Sequence, residues 1–106
     1  MSTAEINVVK KQLWNHPQVR AYTRYGRYFS KAELKQLAAK IRAGLASSSA
    51  DIMPVYELGG AITLLARWRR VIYVVVYDPR WHRIVTFLPK DGELPFSVRE
   101  ALGKCA

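Results

Sequence analysis

Two apolar runs joined by a short turn constrain the fold of this 106-residue chain more than any other feature. Residues 71–77 are all apolar or aromatic, four of them valine, and residues 84–88 form a second run of similar character. Runs of this length and composition are typical of strands with both faces covered. The link is too short for a helical crossover, and Asp78-Pro79 favours a turn. The two strands should therefore pair antiparallel.

The pairing register decides which side chains this hairpin brings together. With a tight two-residue turn, Tyr77 would face His82 and Tyr73 would face Thr86. Because strand side chains alternate, these four would share one polar-aromatic face with Val75 and Ile84. The opposite face would be apolar: Ile72, Val74, Val76, Val85 and Phe87. A slip of one residue would reverse the assignment for one strand.

The rest of the chain predicts helices before the sheet and one short helix after it. A capping box, Ser30-Lys31-Ala32-Glu33, opens a helix closed by Gly44, and its apolar stripe is Leu34, Leu37, Ala38, Ile41 and Leu45. An earlier helix would begin at Ser2 or Thr3 and end at Pro17, whereas 18–29 fits neither helix nor strand clearly. Residues 62–68 predict a strand entered through Gly59-Gly60, and Ser97 opens a short helix closed by Gly103.

This order predicts a single α+β domain over residues 1–106, with N-terminal helices packed on a small antiparallel meander. The helical part would cover 1–45, a serine-rich linker 46–58, the sheet 59–89, and a tail with the short C-terminal helix 90–106. The apolar density of the two central strands suits either a monomer or a homodimer.

The charge of the chain favours a polyanionic partner. It has 17 Lys and Arg against 8 Asp and Glu, a formal charge of +9. Residues 10–42 contain nine basic residues and one acidic residue, and residues 67–83 contain five basic residues and one acidic residue. Two such zones favour RNA or another nucleic acid as partner, although the charges can also serve only to keep the protein solvated.

Other features exclude several classes of protein and site. The single cysteine, Cys105, excludes an intrachain disulfide and a zinc site built from thiolates. Two histidines and scattered carboxylates predict no metal and no cofactor. We find no signal-peptide pattern and no apolar run of membrane-spanning length, so we expect a soluble cytoplasmic protein with no membrane partner.

A basic and aromatic segment at 20–29 is the first candidate for nucleic-acid binding. Guanidinium groups neutralise phosphates and aromatic rings stack on unpaired bases. The alternative is a half-buried amphipathic element whose tyrosines pack on the sheet. With the arginines around the hairpin, the candidate set is Arg20, Tyr22, Arg24, Tyr25, Arg27, Arg70, Arg80 and Arg83.

Candidate catalytic residues come from the hairpin. His82 is the best general acid or base, since its ordinary pKa lies near neutrality, and His16 has a weaker claim. Thr86 and Tyr73 would stand beside His82 on the predicted polar face. Arg67 and Arg69 precede the hairpin and could stabilise charge on a phosphate. The alternatives are a surface histidine, a threonine chosen for strand propensity and solubilising arginines.

The hairpin also resembles a known group of proteins. This part of the chain is similar to the C-terminal half of small toxin RNases of the barnase, EndoU, colicin and RelE assemblage. The residues that carry the resemblance are a basic strand, then Val-Ile-Tyr-Val-Val-Val-Tyr-Asp, a tight turn and Arg-Ile-Val-Thr-Phe-Leu-Pro. Small phage and prophage proteins end in a comparable Ile-Val-Thr strand. The resemblance covers residues 62–89.

The resemblance implies metal-independent RNA cleavage, in which the ribose 2′-hydroxyl attacks the adjacent phosphate. By position it assigns Arg67 or Arg69, His82 and Thr86 to the site, with His16 as the counterpart of an N-terminal histidine. Lys90 and Phe96 match the family's C-terminal pattern only in part.

Two hypotheses therefore stay open. The first is a basic RNA-acting protein, a metal-independent toxin-like endoribonuclease. The second is a non-enzymatic phage-type binding protein that engages nucleic acid or an acidic host protein. Under either hypothesis the candidate protein partners are an acidic host protein and an inhibitor.

Overall fold

The computed structural model describes residues 15–89 and 96–105. The helix predicted from Ser2 or Thr3 and the residue Lys90 lie outside this range, as do the side chains of Phe96 and Cys105. Within it the fold is α+β, as predicted, with three helices and one four-stranded antiparallel sheet.

The first described helix, α1 (His16–Tyr25), occupies the segment that the sequence left unassigned. Asn15 caps it through a capping box with Gln18, and Gly26 closes it with a φ of 66°. Pro17, predicted to end a helix, instead lies in the first turn of this one. Proline suits that position because its missing N–H has no intrahelical acceptor there.

The second helix, α2 (Lys31–Ser47), begins at the predicted capping box of Ser30 and Glu33. Its predicted end at Gly44 is wrong, since the helix continues to Ser47 and Ser48 caps it with a φ of 55°. Gly44 is buried, and a Cβ there would lie 2.8 Å from the Cβ of Ile52. This glycine allows close helix–strand packing and does not terminate the helix.

Four strands form a meander in the order β1 (Ile52–Leu58), β2 (Ala61–Trp68), β3 (Val71–Asp78) and β4 (Arg83–Leu88). β2, β3 and β4 match the predicted strands, and Gly59-Gly60 connects β1 to β2. The predicted linker 46–58 is partly wrong because 52–58 is an edge strand. Pro54 is tolerated there because an edge strand leaves one row of N–H groups outside the ladder.

The predicted β3–β4 register is wrong. The connecting loop spans 79–82, and the observed partners are Tyr77 with Ile84, Val76 with Thr86, and Val75 with Phe87. The change from one register to the next leaves Val85 as an extra residue, a β-bulge. Thr86 therefore pairs with Val76 instead of Tyr73 and leaves the predicted polar-aromatic face. Tyr73, Val75, Tyr77 and Ile84 still share one face as predicted, and Phe87 joins them there.

The sheet is covered on both faces. On one face α1 and α2 pack over a core cluster that includes Phe29, Tyr73, Tyr77 and Phe87. On the other, α3 (Phe96–Cys105) places Val98 and Ala101 against β2 and β3. The predicted closing glycine of this helix, Gly103, lies inside it. Within the described residues no helix is long and apolar enough to cross a membrane.

Candidate active site

Both histidines of the chain line one cleft of about 580 Å³. The cleft lies between the start of α1, the first half of α2, and the end of the β3–β4 loop with β4. Its polar lining comprises Asn15, His16, Lys31, Lys35, His82 and Arg83. None of the described residues that line it is acidic. The cleft therefore combines two titratable imidazoles with a positive electrostatic environment.

The helix start fixes the position of His16. The Asn15 side chain accepts from the Gln18 N–H at 3.1 Å, and the Gln18 side chain accepts from the Asn15 N–H at 2.9 Å. Gln18 is only 2% exposed and also donates to the Phe29 carbonyl at 2.9 Å. The first turn of α1 is thus anchored to the chain before α2, and His16 is held at the cleft.

His16 faces a hydroxyl on β4. Its Nε2 lies 3.1 Å from Thr86 Oγ1. Partial burial lowers the pKa of His16 from 6.5, and the charges of Arg20 and Arg24 lower this pKa further. His16 is therefore mainly neutral near pH 7, the state in which an imidazole can accept a proton.

His82 lies in the β3–β4 loop with a φ of 49°, a conformation that is uncommon for residues other than glycine. Its Nδ1 lies 2.6 Å from the hydroxyl of Tyr77, which is 1% exposed. Burial raises the pKa of Tyr77, so the phenol stays protonated near neutral pH. In neutral His82, a hydrogen bond donated by Tyr77 to Nδ1 leaves the ring proton on Nε2.

A buried carboxylate holds this loop in shape. Asp78 is 5% exposed, and it accepts from the Arg80 backbone N–H at 2.9 Å and from the Arg80 guanidinium at 3.2 Å. These hydrogen bonds lower the pKa of Asp78. The Arg80 guanidinium also covers the neighbouring β1–β2 turn, because a Cβ at Gly60 would lie 3.0 Å from its Cζ. The loop that carries His82 is thus tied to the rest of the sheet.

Three exposed cations complete the cleft. Lys31 and Lys35 lie four residues apart at the start of α2, and Arg83 begins β4. Residues with this helical spacing share one face, so both lysines are directed to the same side. The arrangement is suited to an anion such as a phosphate, which neutral or acidic surroundings would disfavour.

Three predicted catalytic residues do not join this cleft. Arg67 and Arg69 lie near the β2–β3 turn, at the opposite end of β3 from His82. They form ion pairs with Asp51 at 3.8 Å and with Glu33 at 3.1 Å, respectively. Tyr73 is 1% exposed and packs on three aromatic rings of the core, those of Tyr25, Phe29 and Phe87. Contrary to the prediction from the sequence, Arg67, Arg69 and Tyr73 therefore do not lie together with His82 and Thr86.

Several members of the predicted nucleic-acid set on α1 make structural contacts. Arg24 donates to the Phe87 carbonyl at 2.6 Å, and Arg27 pairs with Glu33 at 3.4 Å and lies over the Phe29 ring. These contacts fit the alternative interpretation of residues 20–29, an amphipathic element that packs on the sheet.

The hydroxyl of Tyr25 is inserted into the β3–β4 ladder. It accepts from the Val74 N–H at 3.0 Å and donates to the Leu88 carbonyl. Val74 and Leu88 are paired residues, so the tyrosine oxygen bridges two backbone groups at the end of the ladder. Tyr25 is therefore a structural residue of the fold.

The other members of the set lie in different places. Tyr22 is 37% exposed on α1, Arg70 is exposed in the β2–β3 turn with a φ of 70°, and Arg80 is paired with Asp78. Arg20 lies close enough to His16 to influence its pKa, and Arg83 lines the cleft. Of the whole set, Arg20, Arg24 and Arg83 thus lie near the two histidines.

The sequence analysis did not name Lys31 and Lys35 as candidate site residues. It also gave His16 a weaker claim to acid–base catalysis than His82, whereas both histidines line the cleft. The lysines carried a signal, since their spacing after a capping box places two cations on one helical face. The contact between His16 and Thr86 joins residues 70 positions apart, and no local pattern indicates it.

Comparison with protein-family models, curated proteins and solved structures gives no match. Within residues 15–89 and 96–105, no group of three or more histidines, cysteines or carboxylates could hold a metal ion.

Proposed function

We propose that this protein is an endoribonuclease that cleaves RNA in the cleft between α1, α2 and β4 without a metal ion. The observation that supports the proposal is the joint placement of both histidines, each beside a hydroxyl, in one cleft with Lys31, Lys35 and Arg83. A pair of imidazoles can supply the general base and the general acid of transesterification at a phosphate, and a cluster of cations can stabilise the charge that develops.

The proposed reaction begins with attack of a ribose 2′-hydroxyl on the adjacent phosphorus. Neutral His16 accepts the 2′-hydroxyl proton as the new phosphorus–oxygen bond forms. Protonated His82 donates a proton to the 5′-oxygen as the bond from phosphorus to that oxygen breaks. The products are a 2′,3′-cyclic phosphate and a free 5′-hydroxyl, and the two histidines have exchanged protonation states.

Thr86 and Tyr77 serve as positioning residues in this scheme. Each hydroxyl holds one ring nitrogen of its histidine, which leaves the other nitrogen of the ring for the substrate. The three cations stabilise the charge that develops on the non-bridging phosphate oxygens. Arg67, Arg69 and Tyr73 have no part in the proposed reaction.

The test is RNA cleavage by the purified protein in excess EDTA, with analysis of the ends produced. We expect cyclic phosphate ends, and we expect His16→Ala and His82→Ala each to lower the rate at least ~100-fold. A 2′-deoxy residue at the cleaved position should block the reaction. Arg70→Ala is the matched control, since it removes an exposed cation at the other end of β3.

Two results would refute the proposal. One is intact RNA after prolonged incubation with the wild-type protein. The other is cleavage that both histidine variants support at the wild-type rate.

A second candidate function is binding of nucleic acid without cleavage. The observation that favours it is the cluster of exposed cations at the cleft in a chain of net charge +9. Its affinity should fall steeply with salt, and Lys31→Ala with Lys35→Ala should reduce the salt slope by about 2. A flat salt dependence would point instead to a protein partner.

A further inference from the structure

Trp81 is an exposed aromatic residue beside the cleft that the proposed reaction does not use. We propose that its indole is a stacking platform for an unpaired base, so that the substrate of the cleft is single-stranded RNA. The inference rests on the proposed function for the identity of the ligand and extends it to a substrate class.

The exposure of Trp81 is unusual for its size. The residue is 71% exposed, while most of the other aromatic residues with described side chains are partly or wholly buried. The loop before it is anchored, because the Arg80 backbone N–H donates to Asp78 at 2.9 Å and the Arg80 guanidinium donates to the same carboxylate. This loop thus leaves a large apolar surface in water, where a ligand would cover it.

The neighbours of Trp81 identify the ligand. His82 and Arg83, the next two residues, line the cleft, and Arg80 precedes it in the same loop. Successive Cα atoms are about 3.8 Å apart, so the Trp81 backbone adjoins the cleft at a distance that neighbouring nucleotides can span. The exposed Arg83 complements a phosphate backbone, whereas the centre of a protein interface is depleted in charge.

The stacking surface selects the form of the RNA. Bases in a duplex are already stacked and paired, so an indole cannot cover them without separating the strands. Unpaired bases present free faces, and stacking on an aromatic residue is tolerant of base identity. Trp81 should therefore favour single strands over duplexes with little preference for sequence.

The test uses 2′-O-methyl oligonucleotides, which bind without offering the 2′-hydroxyl nucleophile. Affinity for a single strand and for a duplex of the same sequence is measured with wild-type protein, Trp81→Ala and Trp81→Phe. Leu58→Ala is the matched control because Leu58 is 76% exposed at the same end of the sheet, in β1. Thermal unfolding checks that each exposed substitution leaves the fold intact.

We expect Trp81→Ala to weaken single-strand binding by about 5- to 100-fold and Trp81→Phe to restore part of that loss. Duplex affinity and the Leu58→Ala variant should stay within about twofold of wild type, a change too small for the loss of a stacking contact. The inference is overturned if Trp81→Ala binds single strands like wild type, if both forms weaken equally, or if wild type binds no single strand.

The two proposals fail separately. Cleavage that depends on the histidines but not on Trp81, with unchanged single-strand affinity, would overturn the stacking inference alone. A Trp81-dependent single-strand affinity in a protein that leaves RNA intact would overturn the endoribonuclease alone.

Discussion

Gly44→Ala tests whether helix α2 packs as closely on strand β1 as it does in the structure. Gly44 lies inside α2, where alanine has the higher helix propensity and the substitution should by itself stabilise the protein by about 1 kcal/mol. Its Cα also faces Ile52 of β1, a residue that is 3% exposed. Helix propensity and packing therefore predict opposite signs.

The geometry decides which effect is larger. An alanine Cβ would lie 2.8 Å from the Ile52 Cβ and closer still to its Cγ1. The Ile52 Cβ is attached directly to the backbone, so it cannot rotate away, and either α2 or β1 must shift. Overpacking of this kind costs about 1–3 kcal/mol, and here it belongs at the upper end of that range. After the propensity gain, we expect a net loss of about 1–2 kcal/mol.

Urea denaturation followed by circular dichroism measures this change, with Gly103→Ala as the control. Gly103 is exposed within α3, and no described atom lies within 4 Å of a Cβ built there. Its substitution should raise the free energy of unfolding by up to about 1 kcal/mol. If Gly44→Ala were instead as stabilising as Gly103→Ala, the close packing of α2 on β1 would be wrong.

Three further predictions concern hydrogen bonds and titration. Tyr25→Phe keeps the ring but removes the hydroxyl that bridges β3 and β4, so it should lower the free energy of unfolding by about 1–3 kcal/mol in the same urea assay. The control is Tyr56→Phe on edge strand β1, which should change the free energy of unfolding by less than about 0.5 kcal/mol. NMR titration should give His16 a pKa below 6.5, and added inorganic phosphate should raise this pKa. Since the folded state disfavours protonation of His16, its contribution to stability is present above pH 6.5 and is lost as the pH falls through its folded pKa. Hydrogen bonds from the Ser30 backbone lower the pKa of Glu33, and hydrogen bonds from Arg80 lower the pKa of Asp78. The stability that these carboxylates contribute is therefore present above their ordinary pKa values of 4.5 and 3.8 and is lost as the pH falls through their folded pKa values. The melting temperature should fall over that acidic range, and it should fall less steeply in Asp78→Asn.

The local patterns predicted the elements well where one signal dominated. The capping box of Ser30 and Glu33 marked the start of α2, and the valine-rich run marked β3. β1 was missed because an edge strand with Pro54 lacks both a continuous apolar run and a clear alternation. The end of α2 was misplaced because a glycine that closes a helix and a glycine that permits close packing look the same in a sequence.

The β3–β4 register shows why the site itself could not be predicted. Ile84 and Phe87 both belong to the core beneath α1 and α2, although strict alternation places residues three apart on opposite faces. The extra residue at Val85 removes that conflict, at the cost of a broken ladder. The sequence offered another solution, Val85 and Phe87 on one face, and only the packing of the helices distinguishes the two.

The same bulge connects the fold to the candidate site. Continued regularly from the Tyr77–Ile84 pair, the ladder would pair Thr86 with Val75 of the core. The bulge pairs Thr86 with Val76 instead, and the Thr86 hydroxyl lies 3.1 Å from His16 Nε2 of α1. A regular ladder would have kept Thr86 on the face that Tyr73 shares with the core, where the helices cover it. Deletion of Val85 itself, in contrast, would make the ladder regular while keeping the Val76–Thr86 and Val75–Phe87 pairs, so we expect both the core and the contact between Thr86 and His16 to persist in that variant.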